Sequence, residues 1–131
     1  MSLILYVEDE FFARMLGEDV LNAAGYDVVV AADGEEGCAL LRLHGLCVSG
    51  LITDINLPGA TEGWAVAELG REIRDGLAVV YATGSDPCHF AARGVPLSRW
   101  IAKPFEWPQV LEAMSALIPG DGRTDEPSLQ L

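Results

Sequence analysis

Five short apolar runs, each followed by a stretch with helical spacing, constrain this chain more than any other feature. They are residues 3–7 (LILYV), 27–32 (DVVVAA), 48–53 (VSGLIT), 78–82 (AVVYA) and 99–102 (RWIA). Each is strand-sized and poor in charge, the pattern of parallel strands covered on both faces. The first intervening helix spaces Phe12, Leu16 and Val20 four apart and closes on Gly25. The second opens on Asp33 with Glu36 three residues later, a capping-box-like start, and stops at Gly45. The third places Val66, Leu69 and Ile73 on one face. A shorter one runs from Pro87 to Gly94, and the last carries Val110, Leu111, Met114, Leu117 and Ile118. Parallel neighbours need a helix to return the chain, so five βα units predict a doubly wound α/β fold with right-handed crossovers. From Pro119 the segment PGDGRTDEPSLQL loses periodicity. The expected organisation is one domain over residues 1–118 and a flexible C-terminal tail over 119–131.

Eight basic against twenty acidic residues give a formal net charge of −12. That charge repels polyanions, so direct nucleic-acid binding and attachment to an anionic membrane are not expected. The apolar runs are too short to span a bilayer, and Glu8-Asp9-Glu10 follow the N-terminus too soon for a signal peptide. Cys38, Cys47 and Cys88 are an odd number without C-x-x-C spacing, and buried reduced thiols are expected. A cytoplasmic protein is the resulting expectation.

Ligands of open α/β sheets gather outside the carboxyl ends of the strands. Four of those ends carry polar residues: Glu8 and Asp9 after the first strand, Asp54 after the third, Thr83 after the fourth and Lys103 after the fifth. Taken singly, each has an ordinary explanation as a helix cap, a turn former or a solvated charge. Together, in parallel strands, they converge on one edge. Three crowded carboxylates repel one another unless a cation neutralises them, and a hard, oxygen-seeking ion such as Mg2+ suits such a cluster. A lysine and a hydroxyl opposite it suit the oxygens of a phosphoryl group. His44 and His89 fall away from these strand ends, and no chemical role is expected of them.

ILYVEDE, LITDINLPG, YATG and AKPF, in this order and at these separations, resemble the receiver domains of bacterial two-component response regulators over about residues 3 to 118. The resemblance implies a flavodoxin-like (βα)5 domain with strand order 2-1-3-4-5. It implies Asp54 as phosphoacceptor and Glu8, Asp9, Asp54 and the backbone carbonyl of Asn56 as the Mg2+ site. Thr83 matches the switch hydroxyl, Lys103 the family's lysine, and Trp100 the position of an aromatic switch. Lys103-Pro104 is implied to be a cis bond. The implied partners are a sensor histidine kinase or phosphotransfer protein and a downstream effector protein. The implied interaction face is helix 4, strand 5 and helix 5, and homodimerisation is compatible with the pattern.

The implied function is that of a single-domain response regulator, a phosphorylation-controlled interaction module and not a steady-turnover enzyme. Three departures accompany the match. LPGATEGW is one residue longer than the usual turn, Trp100 is bulkier than the usual aromatic, and the short Thr83 to Lys103 spacing suggests a reduced fourth helix. YATG resembles the F-A-T-G stretch of a subgroup of stand-alone receivers, and Gly84 within it would leave an acyl phosphate open to water. Two other readings compete. Haloacid-dehalogenase-like phosphatases also use a strand-end aspartate with Mg2+, threonine and lysine, but they need an acidic residue two positions on, where this chain has Asn56. A pseudo-receiver would bind partners regardless of phosphate.

Overall fold

The structure, a computed structural model, describes residues 2–84 and 87–118. The proposed tail, 119–131, lies outside the described residues. Strands β1 (Leu3–Val7), β2 (Asp27–Ala31), β3 (Val48–Thr53), β4 (Ala78–Thr83) and β5 (Ser98–Ala102) form one parallel sheet in the order β2-β1-β3-β4-β5. Helices α1 (Phe11–Ala23), α2 (Gly34–His44), α3 (Gly63–Ile73) and α4 (Phe90–Arg93) lie in the four crossovers, and α5 (Trp107–Leu117) follows β5. The expected doubly wound fold and its strand order are both present.

Alternation along the strands divides the core in two. Leu5, Val7, Leu51, Val79 and Tyr81 point to the face covered by α2 and α3. Ile4, Tyr6, Ile52 and Val80 point to the face covered by α1 and α5, where they meet Leu21, Val110 and Met114. The central strands β1, β3 and β4 are buried on both faces almost throughout. The edge strands β2 and β5 are only partly covered, because each has a neighbour on one side alone.

Local chemistry sets the helix ends where the sequence places them. Asp33 accepts from Glu36 N–H at 2.8 Å to start α2. Gly25 takes φ 99°, a left-handed conformation that glycine adopts without steric cost, and ends α1. Glu106 N–H donates to Gln109 Oε1 at 2.8 Å at the start of α5. Between β4 and β5 a 3-10 turn (Pro87–His89) runs into a four-residue α4, so the fourth helix is reduced as its short spacing suggests. Lys103-Pro104 is cis.

Two expectations are corrected. The apolar row that marks α1 in the sequence is not the row that packs: Phe12 is 70% and Leu16 55% exposed, while Gly17 and Leu21 face the sheet. The reason is close approach, since a Cβ on Gly17 would collide with the Tyr6 ring and lie 2.8 Å from Trp107. Of the cysteines only Cys38 is buried; Cys47, in a 3-10 turn before β3, and Cys88, beside α4, are exposed.

A second close approach holds the loop after β3. Gly63, the first residue of α3, donates its N–H to Ile55 O at 2.9 Å, and a Cβ there would strike the carbonyl oxygen of Asp54. Alanine removes at most about 1 kcal/mol of backbone entropy cost. Overpacking against backbone costs about 1–3 kcal/mol. Gly63→Ala is therefore expected to lower unfolding free energy in urea by about 1–3 kcal/mol, whereas Gly76→Ala, whose Cβ meets nothing within 4 Å, stays within about 0.5 kcal/mol. Equal stability of the two variants would contradict this packing.

Candidate functional site

The sheet order brings the predicted residues to one edge. Asp54 N–H donates to Val7 O at 3.2 Å and Glu8 N–H to Ala31 O at 3.0 Å, which extends the ladder one residue past the strands and fixes both acidic residues at its rim. Lys103 N–H donates to Thr83 O at 2.9 Å, which joins the ends of β5 and β4 in the same way. Thr83 is buried at its strand end.

Lys103 ties these ends together. Its Nζ stands 2.6 Å from Glu8 Oε1 and 3.0 Å from Asp54 Oδ2. The other oxygen of Glu8, Oε2, accepts from Glu10 N–H at 3.0 Å, so this carboxylate, only 2% exposed, has both oxygens occupied. Asp54 Oδ1 accepts from Ile55 N–H at 2.6 Å, and Thr53 Oγ1 donates to the Asp54 carbonyl at 2.8 Å. Burial pushes the Lys103 ammonium down, but its hydrogen bonds to Glu8 and Asp54 and their negative charges outweigh that, so its pKa is raised. The lysine is charged at neutral pH. Burial, followed by the charges of Glu8 and Asp54, drives the Tyr6 hydroxyl far above its ordinary range and keeps it protonated.

Glu8, Asp9 and Asp54 each offer an oxygen within 4.8 Å of the others, the cluster expected from sequence. All three donors are carboxylate oxygens with no nitrogen or sulfur among them, a set that suits a hard divalent ion such as Mg2+. Asn56 is exposed between buried Ile55 and Leu57, at the start of the loop that leaves the site. Trp100 stands apart from the acidic cluster. Its ring is stacked on Trp64 (6.1 Å, 28°) and packed against Phe90 (5.7 Å) and Tyr81 (6.5 Å), with Nε1 buried and lacking a hydrogen-bond partner.

Three supporting residues escape sequence reasoning. Arg14 Nη1 donates to the carbonyls of Glu8 (2.8 Å) and Asp9 (3.4 Å). Glu35 Oε2 accepts from Ala60 N–H (3.1 Å) and Thr61 Oγ1 (3.0 Å), lashing the longer turn to α2. A hydrogen bond from its own backbone, followed by those from Thr61 and Ala60, holds the Glu35 carboxyl below its usual range. Trp64 supplies the stack under Trp100. The signals in the sequence were faint: an arginine one turn into a helix, an acid in a first turn, and an aromatic following the glycine of the turn.

Comparison with known proteins agrees with this geometry. Residues 4–115 match the family model described as the response regulator receiver domain. The chain is 35% identical over 106 residues to the aerobic respiration control protein ArcA of Escherichia coli, a span of 78% of this chain and 42% of ArcA. It thus covers less than half the length of that relative. A response regulator receiver protein from Sinorhizobium medicae is 32% identical with a TM-score of 0.86, over 94% of this chain and 97% of that one. The response regulator TrrA of Thermotoga maritima, solved in complex with Mg2+ and BeF, is 27% identical with a TM-score of 0.73, over 89% and 99% of the two chains. Motif order, strand order, strand-end cluster and family match agree, and this chain belongs to the response regulator receiver domain family.

Proposed function

We propose that Asp54 accepts a phosphoryl group from a histidine kinase or phosphotransfer protein and that the resulting acyl phosphate switches binding to an effector. The observation that carries this reading is the Lys103 ammonium held between Asp54 and Glu8 beside a third carboxylate, Asp9. Glu8, Asp9, Asp54 and the carbonyl of Asn56 would hold Mg2+. When bound, that ion supplies neutralising charge for the phosphoryl oxygens. The chain's own groups do the rest. A carboxylate oxygen of Asp54 forms a bond to phosphorus in line as the phosphorus–nitrogen bond of phosphohistidine breaks, and the electron pair leaves on the imidazole. The Lys103 ammonium, already beside Asp54, pairs with an incoming phosphoryl oxygen, so little reorganisation is needed as charge spreads. The Thr83 hydroxyl is the donor for a further oxygen, and its movement would bias the residues that follow it and the short α4. Trp100, wedged against Phe90 of α4, is the side chain through which that bias would reach the face formed by α4, β5 and α5.

A macromolecular donor must cover the rim of the site, and the adjoining surface is apolar. Phe11, Phe12, Met15 and Leu16 of α1 are 46–70% exposed. Leu16 and Ala13 share a groove with Tyr6, Glu8, Lys103 and Phe105, so this patch is continuous with the reacting groups. Exposed apolar patches of this kind mark interaction surfaces, and we assign this one to the phosphodonor. The phosphatase reading is weaker, since Asn56 in place of an acid gives no proton to a leaving group.

Incubation with acetyl phosphate and Mg2+ is expected to add one phosphoryl mass to the intact protein, with no adduct in Asp54→Asn. An adduct that persists in that variant, or none in the wild type, contradicts the assignment. For the donor surface, Phe12→Ser with Leu16→Ser is expected to slow phosphotransfer from a kinase that phosphorylates the wild type at least tenfold, while labelling by acetyl phosphate is unchanged. Equal loss with both donors, or no loss with the kinase, contradicts the surface assignment.

A further inference from the structure

Arg14 is a cation near the start of a helix. It lies in the first turn of α1, where the positive end of the helix dipole disfavours a cation. Side chains on a helix lean towards its N-terminus, so an arginine here can reach behind the helix start. Its guanidinium does so, donating from Nη1 to the carbonyl of Glu8 at 2.8 Å and, at a longer 3.4 Å, to that of Asp9, with Cζ 5.6 Å from the centre of the Phe11 ring. Those carbonyls belong to the two residues whose carboxylates, with Asp54, make the acidic cluster. Besides the Lys103 ion pair to Glu8, the turn between β1 and α1 is anchored by Glu8 N–H on Ala31 O, by Glu10 N–H on Glu8 Oε2 and by Ala13 N–H on Glu10 Oε1. All three of those bonds use backbone N–H donors. Arg14 instead holds carbonyls, and one peptide is gripped from both sides: in the Asp9–Glu10 unit the N–H goes to Glu8 Oε2 and the carbonyl faces Arg14.

We propose that Arg14 is a positioning residue of the cation site. By holding the carbonyls of Glu8 and Asp9 it fixes the turn in the conformation that keeps both carboxylates in reach of Asp54. This rests on the reading of the cluster as a Mg2+ site. Two effects of opposite sign separate the role from mere charge. A guanidinium near a cation site repels the cation, so on electrostatics alone its removal would tighten Mg2+ binding. As a holder of the turn, its removal weakens binding.

Isothermal titration of the metal-free protein with Mg2+ reads that sign directly, with thermal unfolding in chelator as a check on folding. Arg14→Ala is expected to weaken Mg2+ about three- to tenfold. Arg14→Lys, which keeps the charge and one donor but loses the planar fork, falls between alanine and the wild type. Affinity in Arg14→Ala equal to or tighter than the wild type overturns the proposal. If that variant does not fold, the lysine variant decides: weaker binding than wild type supports the role, equal or tighter binding overturns it. A wild type that takes up no Mg2+ removes the site reading and this inference with it, whereas a binding wild type with an indifferent Arg14→Ala removes the inference alone.

Discussion

One ammonium group, Lys103 Nζ, holds carboxylates from two other strands within hydrogen-bond distance, and the functional edge of the domain is organised around it. Glu8 is 2% exposed, and a carboxylate so placed is costly unless paired. Lys103 supplies the partner, and Glu10 N–H satisfies the second oxygen. The pairing compensates the buried charge and presets a cation beside Asp54. In the proposed reaction that cation meets phosphoryl oxygens instead of carboxylates, an exchange of one set of anionic oxygens for another.

Such an arrangement is available only because of the strand order. β1, β3, β4 and β5 are successive neighbours, and β2 is sent to the far edge. Glu8, Asp54, Thr83 and Lys103 therefore leave adjacent strands on the same side, although long stretches of helix separate them in sequence. The two faces of the sheet contribute differently. On one, Gly17 lets α1 press against Tyr6 and Trp107, which carries the start of α1 and Arg14 up to the acidic turn. On the other, Gly63 lets α3 abut the Asp54 carbonyl and sets Trp64 under Trp100. The same close approach that seats the loop after β3 thereby links it to the aromatic residues around α4.

Much of this is legible in the sequence, for physical reasons. Strands buried on both faces must be apolar, so LILYV, VSGLIT and AVVYA declare themselves. Parallel pairing then obliges the polar residues after them to share an edge, which makes the convergence of Glu8, Asp9, Asp54, Thr83 and Lys103 a deduction about topology. What periodicity misreads is α1. Its largest side chains lie outside, because the inner row is shaped by a glycine and hydrophobicity does not register a missing side chain. Pairing within the cluster is also invisible: nothing in EDE says that Glu8 turns to Lys103 while the Arg14 guanidinium reaches back to the carbonyls of Glu8 and Asp9. Those choices are made by tertiary distances of a few ångströms, to which spacing along the chain is blind.

In the proposed reaction Lys103 exchanges carboxylate partners for a phosphoryl group carried by Asp54. A crystal structure with Mg2+ and beryllofluoride, a mimic of the acyl phosphate, tests it most directly. Beryllium is expected to be bonded to a carboxylate oxygen of Asp54, with Lys103 Nζ within hydrogen-bond distance of a fluorine and one metal ion touching Asp9 and Asp54. Beryllofluoride bound elsewhere, or Lys103 still seated on Glu8 and Asp54 with no fluorine in contact, would contradict it.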